Sequence, residues 1–102
     1  MKQRQGGAHR ARLVRAELAA TLAGLTDAAE VDAFLDDLCT PAEVEALADR
    51  WSVVPLLVDG TPYRRIHEMT GVSVTTVGRI ARCLDGGAGG YLAALPHHPS
   101  RR

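Results

Sequence analysis

Aromatic side chains are scarce in this chain of 102 residues, which has one Trp, two Tyr and one Phe. Trp51 does not read as a base-stacking residue. Trp51 and Tyr91 read as core anchors, since Trp51 continues an apolar helical stripe. There are two cysteines, Cys39 and Cys83. They are too few and too isolated for a disulfide framework or a zinc motif, and each sits beside a leucine at helical spacing, which suits a buried thiol. Four histidines (His9, His67, His97 and His98) show no metal-ligand spacing, so no metal is expected. No run approaches the roughly 18 apolar residues of a membrane span. The Arg-rich start faintly resembles a targeting peptide, but Glu17 interrupts it, and the cytoplasm is the expected location. The glycine cluster Gly86–Gly90 has a helix before it, where a phosphate loop needs a strand, and reads as a helix stop with a chain reversal. No nucleophile stands at usable spacing from a base. These absences exclude an enzyme and leave no cofactor expected.

Charge is present in equal amounts, 12 basic against 12 acidic residues, but it is unevenly placed. Residues 1–25 hold Lys2, Arg4, Arg10, Arg12 and Arg15 against Glu17, a net +4. Residues 26–60 hold nine carboxylates against Arg50, a net −8. Residues 61–102 return to +4, with six arginines against Glu68 and Asp85. Basic ends around an acidic middle suit a chain that meets phosphates at its ends. The same pattern also describes an ordinary solvated surface.

Apolar periodicity is helical throughout, and no segment alternates with period two for more than a few residues. Residues 1–8 lack periodicity and read as a flexible basic arm. A first helix is expected from His9 to Leu22, with Leu13 or Val14, Leu18, Leu22 and Leu25 on one stripe. Thr26 or Asp27 can cap a second helix whose apolar face is Ala28, Val31, Phe34, Leu35 and Leu38. Thr40-Pro41 with Glu43 is a start signal for a third helix. Its stripe is Val44, Leu47, Trp51, Val54 and Val58, and Asp59-Gly60 ends it. Pro55 lies inside, where a kink near Ser52 is expected without a break into two helices. Short helices follow over Pro62–Thr70 and Val74–Leu84, then a last one holding Tyr91, Leu92 and Leu95. Residues 96–102 read as a disordered tail.

Tyr63 to Leu84, YRRIHEMTGVSVTTVGRIARCL, has the pattern of a helix-turn-helix. Gly71 stands at the turn, where a backbone without a Cβ is least strained. Ile66 precedes it by more than a helical turn, and Val77 and Ile80 face back toward the first of the two helices. Ser73 suits the N-cap of the second. In such a unit that second helix enters the major groove of DNA. The long stripes on the first three helices exceed what one helix-turn-helix can cover, which predicts a two-fold dimer.

With these blocks in view, LCTPAEVEALADRW (Leu38–Trp51), the helix ending in LLVDG, the helix-turn-helix and GGAGGY resemble the tryptophan-repressor superfamily. They resemble most its small YerC/YecD branch. The likeness spans Val31 to Tyr91. It implies an all-α fold of about six helices in an intertwined homodimer whose first helices wrap round each other. It also implies a sequence-specific transcriptional regulator, a repressor. In the tryptophan repressor the corepressor indole lies between two arginines, which Arg50 and Arg79 match, while Thr40 and Thr76 match residues near the ligand. Ile80 stands where the repressor has a glycine that leaves space for the ring. A tryptophan-like corepressor is therefore disfavoured, and the effector stays open.

The expected base contacts are Ser73, Val74, Thr75 and Thr76, with Arg79 as the one long donor placed for guanine. Val74 either touches thymine methyl groups or packs into the core. Arg64, Arg65 and Arg82 suit phosphates, which fix register without reading sequence. His67 occupies a position where such units usually have a small residue. It either tilts the two helices apart or turns outward to a phosphate, and the plainer reading is a buried or solvent-facing histidine without a role. The alternative to a regulator of double-stranded DNA is a helical protein–protein interaction module without specific DNA binding, docking through its acidic middle.

Overall fold

The structure, a computed structural model, describes residues 4–101 and is all-α, with six helices and no strand among them. The chain divides after Thr40 into two compact units.

The first unit holds α1 (Arg4–Gly24) and α2 (Ala28–Leu38). The helix was expected to start at His9, and it starts at Arg4. Residues 4–8 of the expected arm are therefore helical, while residues 1–3 lie outside the described residues. Arg4, Gln5 and Ala8 are good helix formers. They extend the ladder past Gly6 and Gly7, each of which costs about 1 kcal/mol against alanine. Asp27 is the cap of α2. Its backbone is extended, and its carboxylate accepts from the Ala29 N–H at 3.2 Å. None of the described residues of this unit is buried. Leu13 is 52% exposed, Val14 43%, Leu18 37% and Leu38 52%.

The second unit holds α3 (Pro41–Val58), α4 (Tyr63–Thr70), α5 (Val74–Gly86) and α6 (Gly90–Ala94), and α3, α4 and α5 all pack on one another. Its core is Val53, Val54, Ile66, Val77 and Ile80, ringed by half-buried Trp51, Leu56, Leu57, Val72, Leu84, Tyr91 and Leu95. Ile66 is completely enclosed, so truncation to alanine should cost about 3 kcal/mol in lost transfer and cavity terms.

The expected stripe on α3 needs correction. Val54 is buried, but Leu47 and Val58 are exposed and Val53 is buried in their place. Neighbouring residues stand about 100° apart on a helix. Burying both Val53 and Val54 takes two partners, and α4 and α5 supply them. The helix is continuous through Pro55, which offers no N–H to the Trp51 carbonyl and is buried beside the two valines. It ends in a Schellman pair, Gly60 N–H to Leu57 C=O and Thr61 N–H to Leu56 C=O, both 3.0 Å.

The segment expected as a disordered tail contains local helical turns. Two 3-10 turns, Leu95–His97 and Pro99–Arg101, follow α6, and the His98 ring lies 5.9 Å from that of Trp51. A half-buried tryptophan gives this segment apolar surface to cover. Both cysteines were expected to be buried, but Cys39 is half-buried and Cys83 exposed. Helical spacing places Cys83 beside Leu84, yet one residue round the helix is enough to turn it outward.

Candidate nucleic-acid interface

The α4–turn–α5 unit begins with Pro62, extended at φ −61°, ψ 146°, in the cap position of α4. Gly71 ends α4 with φ 78°, ψ −4°, a left-handed conformation that costs a residue with a Cβ roughly 1–2 kcal/mol. Its N–H closes the helix on the His67 carbonyl at 2.8 Å. Ser73 then starts α5, its hydroxyl oxygen accepting from the Thr76 N–H at 3.1 Å while its O–H donates to Thr76 Oγ1 at 3.0 Å. Ile66 from α4 and Val77 and Ile80 from α5 close the angle between the helices.

Burial on one side leaves the opposite side of α5 in solvent. Ser73, Val74, Thr75 and Arg79 are exposed and Thr76 is half-buried. Val74 is 47% exposed, so the core alternative does not hold and its methyl groups face water. Arg64, Arg65 and Arg82 are exposed as well. Arg65 has an ion pair with Glu68 at 3.9 Å, one turn on, and both side chains are more than half exposed. Such a pair is weak and can be exchanged for a phosphate. A Cβ added to Gly78 would stand 3.7 Å from a guanidinium nitrogen of Arg82 and 3.9 Å from the Tyr63 ring. Both are ordinary van der Waals distances, so Arg82 and Tyr63 approach α5 closely at Gly78 without depending on its missing side chain.

Behind that face lies a cavity of about 290 Å³ lined by Arg50, Thr76, Arg79, Ile80, Cys83 and Tyr91. Three of the four residues expected at an effector pocket meet here: Arg50 from α3 and Thr76 and Arg79 from α5. Thr40 does not line it. Ile80 forms part of the wall while remaining 3% exposed, so it narrows the cavity without closing it. Cys83 and Tyr91 were not foreseen in this lining. Cys83 follows Thr76 by two turns of α5, which was the available signal. Tyr91 arrives from a separate helix, which no spacing reveals. A second cavity of about 210 Å³ lies beside the turn, lined by Ala46, Asp49, Arg50, Val72, Ser73 and Thr76.

His67 does not force the helices apart. It is exposed, and its Nδ1 lies 2.8 Å from the Val72 carbonyl oxygen across the turn. Among the described residues no group of three or more His, Cys, Asp or Glu could hold a metal ion, and no helix is long and apolar enough to cross a membrane.

An all-helical unit with an exposed second helix and clustered arginines defines the helix-turn-helix class. Within that class the chain belongs to the Trp repressor protein family, which it matches over residues 15–98. That family is one of DNA-binding regulators. The chain is also similar to the Bacillus subtilis (strain 168) protein YerC, described as uncharacterized, at 40% identity over 75 residues. The match covers 74% of this chain and 72% of YerC.

Proposed function

We propose that this protein is a sequence-specific transcriptional repressor that binds double-stranded DNA as a homodimer in the cytoplasm, with α5 in the major groove. The observation that carries this reading is the exposed first turn of α5, Ser73 to Thr76, standing on the buried Ile66, Val77 and Ile80. The threonine hydroxyls can bond either partner of a base pair, Val74 can touch thymine methyls, and Arg79 can reach guanine. Arg64, Arg65 and Arg82 are proposed to hold phosphates. No side chain in that turn offers the paired donor and acceptor that adenine takes, so DNA shape and bridging water are assigned a share of the specificity.

The homodimer is supported by the apolar side chains that α1 and α2 leave in solvent. Two guanidinium groups beside a threonine suit a small anion in the cavity of about 290 Å³. Ile80 in its wall disfavours a tryptophan-like corepressor. Selection of bound fragments from genomic DNA at near-physiological salt tests the reading. A motif with two-fold symmetry and half-sites about one helical turn apart is the expected result. Fragments without a common motif, together with a protein partner recovered in stable complex, would overturn it in favour of an interaction module.

A further inference from the structure

We propose that His67 is a positioning residue that sets the direction of α5 by holding the Val72 carbonyl. The proposal rests on the reading of α5 as the DNA-reading helix. Val72 is the one residue between Gly71, which turns the chain, and Ser73, which caps α5. The ladder of α5 begins only at the Ser73 carbonyl, which accepts from the Val77 N–H at 2.9 Å. The Val72 carbonyl therefore lies outside the α5 ladder and needs a partner from elsewhere.

Side chains of α4 hold both polar backbone groups of this residue. Thr70 Oγ1 donates to the Ile66 carbonyl at 2.7 Å and accepts from the Val72 N–H at 3.1 Å. That fixes the peptide plane entering Val72. The plane leaving it remains free to turn about ψ unless its carbonyl is held, and the His67 Nδ1 holds it at 2.8 Å. A carbonyl oxygen only accepts, so the Nδ1 must bear the hydrogen. The Val72 side chain packs on the core. With the side chain and both planes fixed, the first turn of α5 has one orientation relative to α4. Small errors in that orientation move every proposed base contact together, because Ser73 to Thr76 form one rigid turn.

The experiment compares the full chain with His67→Ala and His67→Asn, whose amide N–H can take the place of the Nδ1–H. Nitrogen NMR of the histidine rings should find the proton of neutral His67 on Nδ1, and a proton on Nε2 overturns the proposal. Hydrogen exchange at the Thr76 and Val77 amides should quicken about five-fold in His67→Ala, the effect of one lost hydrogen bond of about 1 kcal/mol, and return toward normal in His67→Asn. The preference for a selected fragment over random duplex should fall by a similar factor in the alanine variant alone, with random-duplex affinity unchanged. Unaltered exchange and unaltered preference in His67→Ala overturn the proposal. Should the unsubstituted protein prefer no sequence, the DNA reading falls, and the specificity role with it. The ring and exchange measurements would still decide whether His67 orients α5.

Discussion

The ring of Tyr91 lies against that of Trp51, with centroids 6.3 Å apart and planes inclined by 29°. Trp51 comes from α3 and Tyr91 from α6, so the contact ties the last helix of the second unit to its longest one. Tyr91 also lines the cavity that holds Arg50 and Arg79. Tyr91→Ala should therefore cost about 1–2 kcal/mol, the value of a half-buried ring with its aromatic partner. Urea unfolding followed by circular dichroism measures that loss. Because Trp51 is the single tryptophan, its emission should shift to the red in the same variant, and an unshifted spectrum would argue against the contact.

The salt dependence of DNA binding should separate the arginines by their proposed roles. Replacing Arg64, Arg65 or Arg82 with alanine should weaken binding to all duplexes alike and reduce the slope of log K against log salt by about 1 each. Arg79→Ala and Thr75→Ala should instead change which fragments are selected, at a cost of about 1–3 kcal/mol on the preferred site. Equal losses on all sequences for Arg79→Ala would move that residue into the phosphate group.

Two glycines near the ends of α5 should respond differently to a methyl group. At Gly71 a Cβ meets nothing within 4 Å, so Gly71→Ala pays only for its positive φ, roughly 1–2 kcal/mol. At Gly87 the added Cβ would run into the backbone carbonyl of Cys83, which already accepts the Gly87 N–H at 2.9 Å. Backbone must then move, and Gly87→Ala should cost more, toward about 3 kcal/mol. Thermal unfolding of the two variants gives the order directly.

Concentration should matter to the first unit. With none of its described residues buried, α1 and α2 gain little from their own packing, and a covering surface would stabilise them. If that surface is a second copy, the midpoint of unfolding rises with protein concentration, and sedimentation gives twice the mass of one chain. Leu13→Glu with Leu18→Glu should abolish both effects. A wild-type monomer with a fixed midpoint would remove the dimer from the proposed function.

What could be read from the sequence was whatever depends on near neighbours. Ser73 as a cap, Gly71 at the turn, the stop at Gly60 and the inward Ile66, Val77 and Ile80 all follow from local backbone chemistry or helical period. The features that escaped depend on which surfaces meet. Val53 is buried because α3 has neighbours on two sides, and Cys83, one position round α5 from half-buried Leu84, is exposed. The His98 ring lies beside half-buried Trp51, a contact between residues far apart in the chain. The bond from His67 to Val72 spans five residues across a bend, a separation that no helical period marks. Of the expected effector residues, Arg50, Thr76 and Arg79 do converge on one cavity, but the resemblance supplied that grouping and spacing alone did not.

Ile80 belongs to the hydrophobic core and to the cavity wall at once. One side chain that keeps this unit folded is also one that a small molecule there would touch. Any compound that settles there leans on the same isoleucine that props α5 against α3, and its binding is repaid as resistance to heat. At a hundred times its dissociation constant that amounts to about 2.7 kcal/mol. A melting curve taken across a panel of small anions would thus find the effector, if one exists, before any operator is known.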